Sequence, residues 1–261
     1  MDPEFWRQRW KENRIGFHQH EVNPYLIRYW PGLELAPGSR IYVPLCGKSA
    51  DMYWLSEQGY RVIGVDISAI AIRAFFSEND LQASRIPGEQ ATHWSSEQID
   101  LICADFFELG REDIGRIGGF YDRAALIALP AKTRQHYASR LSELTDTGTT
   151  GLLVSLDYGQ ERMEGPPFSV SEDELRQLFT DRFTIERLHS EDVIETRPRF
   201  RDGGVSVPGL DQVCPRPSEK LVQGRVRHTQ AHHPGNEGIP MVGRILVESR
   251  PDPEIAGSRH R

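Results

Sequence analysis

The sequence predicts an α/β domain: a mostly parallel sheet with helices on both faces. Three observations carry this. Short β-rich runs alternate with helical patterns over the first 200 residues, a glycine turn follows the first run, and an acid closes the second. In order, Asp2-Pro3-Glu4 supplies an N-cap, a proline for the first helical position and a first-turn acid, opening a helix that carries Trp6 and Trp10. Arg40 to Leu45 reads as the first strand. Ser49 then caps a helix that runs to Gln58 and stops at Gly59. Arg61 to Asp66 is the second strand, and Ser68 caps a helix with Ile70, Ala71, Ala74 and Phe75 on one stripe, ending around Asn79-Asp80. Ile99 to Cys103, Gly119 to Ala125 and Gly151 to Leu156 are further strands, with a helix over Thr133 to Leu144 before the last of them. A helix over 171–180 and a sixth strand over Phe183 to Leu188 follow.

Composition narrows the function. In 261 residues of net charge -7, no apolar run approaches the ~18 residues that cross a bilayer, and the charged opening stretch is no secretory signal. A cytoplasmic protein without a membrane partner is expected. The acidic balance also argues against nucleic acid as a partner, because phosphate neutralisation needs clustered Lys and Arg. Cys46, Cys103 and Cys214 lack CxxC spacing, His18 and His20 read as surface residues, and His228, His232 and His233 give only a weak signal, so no metal is expected. Every aromatic residue lies at or before Phe200, and the chain beyond is rich in proline and glycine. Residues 1–205 are therefore read as the folded domain with an N-terminal helical cover, and 206–261 as a poorly ordered tail.

The chemistry centres on Val43-Pro44-Leu45-Cys46-Gly47-Lys48-Ser49 and on Asp66. Ligands of an open parallel sheet bind outside the carboxyl ends of the strands, where a glycine lets backbone approach and an acid closing strand two can hold both hydroxyls of a ribose. With Gly47 but no GxGxxG, a pyrophosphate cradle is poorly supplied. An adenosine-type cofactor without phosphates fits better, and S-adenosyl-L-methionine is the common one. A P-loop fails because its first glycine would fall at Tyr42. More modest readings stand beside these: Asp66 as a helix N-cap, Trp6 and Trp10 as packing, Arg123 as half of a surface ion pair.

Several separated blocks resemble the thiopurine S-methyltransferase family in its bacterial branch. They are Phe5-Trp6 through Trp10, Gly16-Phe17-His18-Gln19, the block from Val43 to Ser49 with Asp51-Met52 and Trp54-Leu55, Gly64 to Ser68, Tyr121 to Leu126, and Gly165-Pro166-Pro167-Phe168. The resemblance implies a Rossmann-like S-adenosylmethionine-dependent methyltransferase that moves a methyl group to the sulfur of aromatic or heterocyclic thiols, thiopurines included. By position it implies cofactor contacts at Trp10, Leu45, Gly47, Asp66, Ala104, Asp105 and Arg123, with Asp66 where many relatives have Glu. It implies acceptor-pocket walls at Phe17, Pro166, Pro167 and Phe168, and Arg123 as electrostatic partner of the acceptor with no dedicated base. The expected partner is a small-molecule thiol or selenol, and the protein is expected to act as a monomer. Two alternatives are a methyltransferase acting mainly on selenium and tellurium species, and a cofactor-binding protein without turnover.

The carboxyl end departs from the family. Relatives close their sheet with an aromatic-rich antiparallel strand, but here Pro208, Pro215 and Pro217 intrude and no aromatic follows. Proline cannot donate to a sheet ladder, so the final antiparallel strand is in doubt. Either Ile245-Leu246-Val247 substitutes for it or it is absent.

Overall fold

Helix starts follow from side chains that can take orphan backbone donors. Asp2, Asn23, Ser49, Ser68 and Ser171 each sit in extended backbone and accept a hydrogen bond from the first turn that follows. The computed structural model describes residues 2–162, 164–192, 218–223 and 247–249. In chain order its elements are α1 (Pro3–Lys11), α2 (Pro24–Tyr29), β1 (Arg40–Val43), α3 (Ala50–Glu57), β2 (Arg61–Asp66), α4 (Ala69–Glu78), β3 (Ser84–Pro87), β4 (Thr92–Ser95) and β5 (Ile99–Cys103). They continue with α5 (Arg111–Ile114), β6 (Gly119–Arg123), α6 (Ala131–Leu144), β7 (Thr150–Asp157), α7 (Glu172–Phe179), β8 (Phe183–Thr184), β9 (Arg187–Asp192), β10 (Ser218–Gln223) and β11 (Val247–Ser249).

Five strands in the order β5-β2-β1-β6-β7 form the parallel centre of the sheet. Antiparallel strands extend it at both edges. The β3–β4 hairpin joins β5, and β10 lies between β7 and β9. The final antiparallel strand is therefore present at Ser218–Gln223, past the three prolines that argued against it. Val247 begins β11, which pairs with β7 and β8, while Ile245 and Leu246 lie outside the described residues.

Alternation along the strands sorts the core into two clusters. Ile41, Val43, Val62, Leu101 and Leu152 face Met52 and Leu55 of α3 and Ile72, Phe75 and Phe76 of α4. Tyr42, Ile63, Ile102, Phe120 and Leu153 face Tyr137 and Leu141 of α6 and Leu175 and Phe179 of α7. Helices thus cover both faces, as the alternation predicts.

Some boundaries differ, and backbone geometry explains why. The first strand stops at Val43 because Leu45 turns left-handed at φ +46°, and β6 stops at Arg123 because Ala124 does so at φ +68°. The stretch expected as one sixth strand is two, β8 and β9, with Ile185 and Glu186 between them.

Asp122, near the end of β6, is fully buried. Its carboxylate accepts from the Tyr137 hydroxyl at 2.7 Å and from the Leu126 amide at 3.2 Å. Burial pushes its pKa up to about 6, against the pull of these donors. Tyr137→Phe leaves this carboxylate a donor short and is expected to cost about 1–3 kcal/mol in urea unfolding; a cost under about 0.5 kcal/mol would mean that the bond contributes little.

Candidate active site

At the carboxyl end of β1 the chain must reverse within a few residues, and it does so through Leu45 and Gly47, at φ +46° and +56°. Gly47 is required twice over. Its backbone is left-handed, and a Cβ there would stand 3.0 Å from Trp10 Cζ2, so the indole of α1 lies directly on the turn. The Cys46 amide donates to Val65 O at 2.9 Å, tying the turn to the neighbouring strand.

Asp66 fastens this turn to the next one. Its Oδ2 accepts from the Gly47 amide and its Oδ1 from the Ser68 amide, both at 2.8 Å. The group is buried, and burial raises its pKa to about 6 while the two amides oppose the rise. Asp66 is thus more than the N-cap of α4, whose cap is Ser68.

Two cavities open over these turns, of about 320 Å³ and about 610 Å³, and Ile67 lines both. Trp10, Leu45, Gly47, Asp66 and Arg123 line the first, together with Phe17, Pro166 and Pro167. Ala104 and Asp105 line the second, beside Ser68. Helix α1 covers both, with Trp6 and Trp10 over one and Gln8 and Lys11 over the other. The Phe17 ring sits edge-on to Trp6 and Trp10, 5.5 and 5.6 Å between centroids.

Two expectations need correction. Phe168 lines neither cavity: its amide donates to Ile127 O at 2.6 Å, and its ring fills the place where a Gly165 side chain would stand, 5.9 Å from the Arg134 guanidinium. His18 is not a plain surface residue, because it is half-buried and lines the first cavity, while His20 beside it is exposed. Burial, then Lys48 and His20, lower the His18 pKa to about 4.

Arg123 is held by a partner that the sequence reading left without a role. Asp51, fully buried in the first turn of α3, accepts from Arg123 Nε at 3.0 Å and Nη2 at 2.8 Å, from the Tyr121 hydroxyl at 3.1 Å and from the Asn23 amide at 2.7 Å. Nη2 also donates to Ser49 Oγ at 2.8 Å. Burial alone would lower the Arg123 pKa, yet Asp51 and Tyr121 hold it above its ordinary value. Arg123 is therefore no surface ion pair.

The donor set decides what the turn can hold. Four amides of this turn are already engaged, which leaves a poor cradle for a pyrophosphate: Cys46 with Val65, Gly47 with Asp66, Ser49 with Cys46 O and Asp51 with Ser49 Oγ. The Asp51 carboxylate stands close behind them. A phosphate-free adenosyl amino acid fits this site, with the Asp66 carboxylate and largely apolar walls in the first cavity and Ile67 between the two. Among the described residues no group of three His, Cys, Asp or Glu could hold a metal ion, and His228, His232 and His233 lie outside them.

The family model described as thiopurine S-methyltransferase matches residues 1–210. The thiopurine S-methyltransferase of Pseudomonas putida is 50% identical over 206 residues, which are 79% of this chain and 95% of that protein. That of Nitrosospira multiformis is 46% identical over 206 residues, 79% and 94% of the two chains. In fold the chain is similar to Burkholderia thailandensis 1,6-didemethyltoxoflavin-N1-methyltransferase, solved with 1,6-didemethyltoxoflavin and S-adenosylhomocysteine, at TM-score 0.55 and 16% identity, covering 84% of this chain and 85% of that one. It is similar likewise to magnesium protoporphyrin IX methyltransferase of Synechocystis with bound S-adenosylmethionine, at TM-score 0.55 and 16% identity, covering 85% and 97%.

Gly47→Ala forces a side chain into left-handed backbone against Trp10. A penalty of about 1–2 kcal/mol is expected, read as roughly tenfold weaker S-adenosylhomocysteine binding in calorimetry. A second expectation concerns pH. Hydroxyl donors from a bound ribose would favour the ionised form of Asp66, and S-adenosylhomocysteine binding is then expected to be full above pH about 6 and to weaken as pH falls through that value. Asp66→Asn should abolish this step; an unchanged pH profile in that variant would remove Asp66 from the binding site.

Proposed function

The chain belongs to the thiopurine S-methyltransferase family, and from that premise we propose that it transfers the methyl group of S-adenosylmethionine, in line, to the sulfur of thiopurines and other aromatic or heterocyclic thiols. The observation that carries this reading is the Asp66 carboxylate in the first cavity, next to Ile67, which lines both, above a turn whose Gly47 amide that carboxylate already takes up. When bound, S-adenosylmethionine supplies an electrophilic methyl on a sulfonium, already a good leaving group.

The residues divide the remaining work. Asp66 would hold the ribose, Ile67, Ala104 and Asp105 the adenine, and Trp10, Leu45 and Gly47 the amino-acid end. Phe17, Pro166 and Pro167, with Ile127 and Leu156, would wall the acceptor and exclude water. Thiolate and sulfonium neutralise each other as they react, so an apolar wall favours the transition state over the separated ions. Arg123 spends Nε and Nη2 on Asp51 and Ser49; Nη1 makes no hydrogen bond among the described residues, leaving its two N–H donors for an anionic acceptor. We place the activity in the cytoplasm and in a single copy. No helix among the described residues is long and apolar enough to cross a membrane.

Incubation with S-adenosylmethionine and thionitrobenzoate or mercaptopurine should yield the S-methyl product and S-adenosylhomocysteine in equal amounts by mass spectrometry; no product with either acceptor would overturn the reading. Arg123→Lys cannot serve Asp51, Ser49 and the acceptor together. It should lower kcat/KM for the acceptor by about 10- to 100-fold while moving S-adenosylhomocysteine affinity far less. The reverse pattern would assign Arg123 to the cofactor.

A further inference from the structure

We propose that His18 is a catalytic residue for acceptors that bind as neutral thiones, taking the ring N–H proton that methylation of the sulfur makes acidic. This rests on the reading of the first cavity as the acceptor site. The polar side chains around that cavity are mostly committed: Asp66 to Gly47 and Ser68, Arg123 to Asp51 and Ser49, Lys48 to Glu78 at 2.5 Å, and Asn23 to the start of α2. The His18 ring differs. Among the described residues it makes no hydrogen bond, only an edge contact with His20 at 4.8 Å between centroids. Its backbone is fixed, with the His18 amide donating to Ile15 O at 2.7 Å and Phe17 wedged against Trp6 and Trp10. A positioned imidazole therefore borders the acceptor cavity with its nitrogens unspent.

The surroundings decide which proton it can take. Burial acts first; Lys48 ahead of α3, His20 and Arg123 at the end of β6 add to it, and Glu78 at the end of α4 opposes them. With a pKa near 4 the imidazole is neutral at physiological pH. It is far too weak a base for an ordinary thiol, near 8.5. It is well matched to a different proton. Heterocyclic thiols exist largely as thiones, with N–H beside C=S. When the thione sulfur attacks, a carbon–sulfur bond forms to the methyl as the methyl–sulfonium bond breaks, its pair remaining on the sulfur of S-adenosylhomocysteine. The methylated heterocycle is then a cation whose N–H is strongly acidic. His18 takes that proton, the N–H pair returns to the ring, and a neutral thioether remains. Lys48 and Arg123 then favour release of the proton from His18 to water, which resets the base.

The test compares wild type with His18→Gln, which can accept a hydrogen bond but cannot take a proton. It uses mercaptopurine as the thione and thionitrobenzoate as a ready-made thiolate, between about pH 5 and 9. With S-adenosylmethionine kept saturating below the Asp66 step near pH 6, wild-type kcat/KM for mercaptopurine should stay nearly level below the acceptor's own pKa, whereas the variant should fall about tenfold per pH unit, following the thiolate fraction. The two proteins should give thionitrobenzoate profiles of the same shape. A readout without turnover is the absorbance of mercaptopurine bound beside S-adenosylhomocysteine near pH 7, which should be that of the neutral thione in wild type. Parallel mercaptopurine profiles in the two proteins, or thiolate bound in wild type, would overturn the role of His18. If wild type methylates neither acceptor, the acceptor-site reading has failed and this proposal falls with it.

Discussion

The site depends on one buried carboxylate bridging two backbone amides. Asp66 closes β2, and by accepting from Gly47 and Ser68 it sets the turn after β1 and the turn after β2 at a fixed separation. A carboxylate removed from water is costly unless its lone pairs are met, and amides held by left-handed and capping geometry meet them without moving. Trp10 can then lie on Gly47, and α1 can roof both cavities. Loss of that bridge would free the turn and the roof together.

Two further buried acids repeat the device nearby. Asp122 accepts from Tyr137 and Leu126 and shapes the turn beyond β6, where Ala124 takes a left-handed conformation. Asp51 joins three elements that touch the first cavity: the N-terminal segment through Asn23, the turn after β1 through Ser49, and β6 through Tyr121 and Arg123. A buried ion pair of this kind is weak evidence for stability, because desolvation offsets most of its attraction. Its value here is geometric, since it holds a guanidinium in place with Nη1 left for a ligand.

The central strands were readable because they are buried on both sides and read as apolar runs between turn residues, and most helix starts because Asp2, Ser49, Ser68 and Ser171 are caps. Helix α2 carries the same signal in Asn23-Pro24, but its six residues are too few to show a helical period. The β3–β4 hairpin escaped because its first strand is exposed throughout, leaving no alternation to detect. The closing strand β10 has no aromatic and follows prolines, so its signal lies in pairing with β7 and β9 rather than in composition. Gly47 and Asp66 stood out by spacing. Asp51 did not, because a first-turn acid ordinarily serves only the helix dipole. His18 was obscured because histidine looks alike in sequence whether it borders solvent or a cavity.

A crystal structure with S-adenosylhomocysteine bears most directly on the role of Asp66. The ligand should span both cavities, with both ribose hydroxyls about 3 Å from the Asp66 carboxylate and the adenine beside Ala104 and Asp105. A sugar seated away from Asp66, or a groove left empty in crystals grown with saturating ligand, would contradict it.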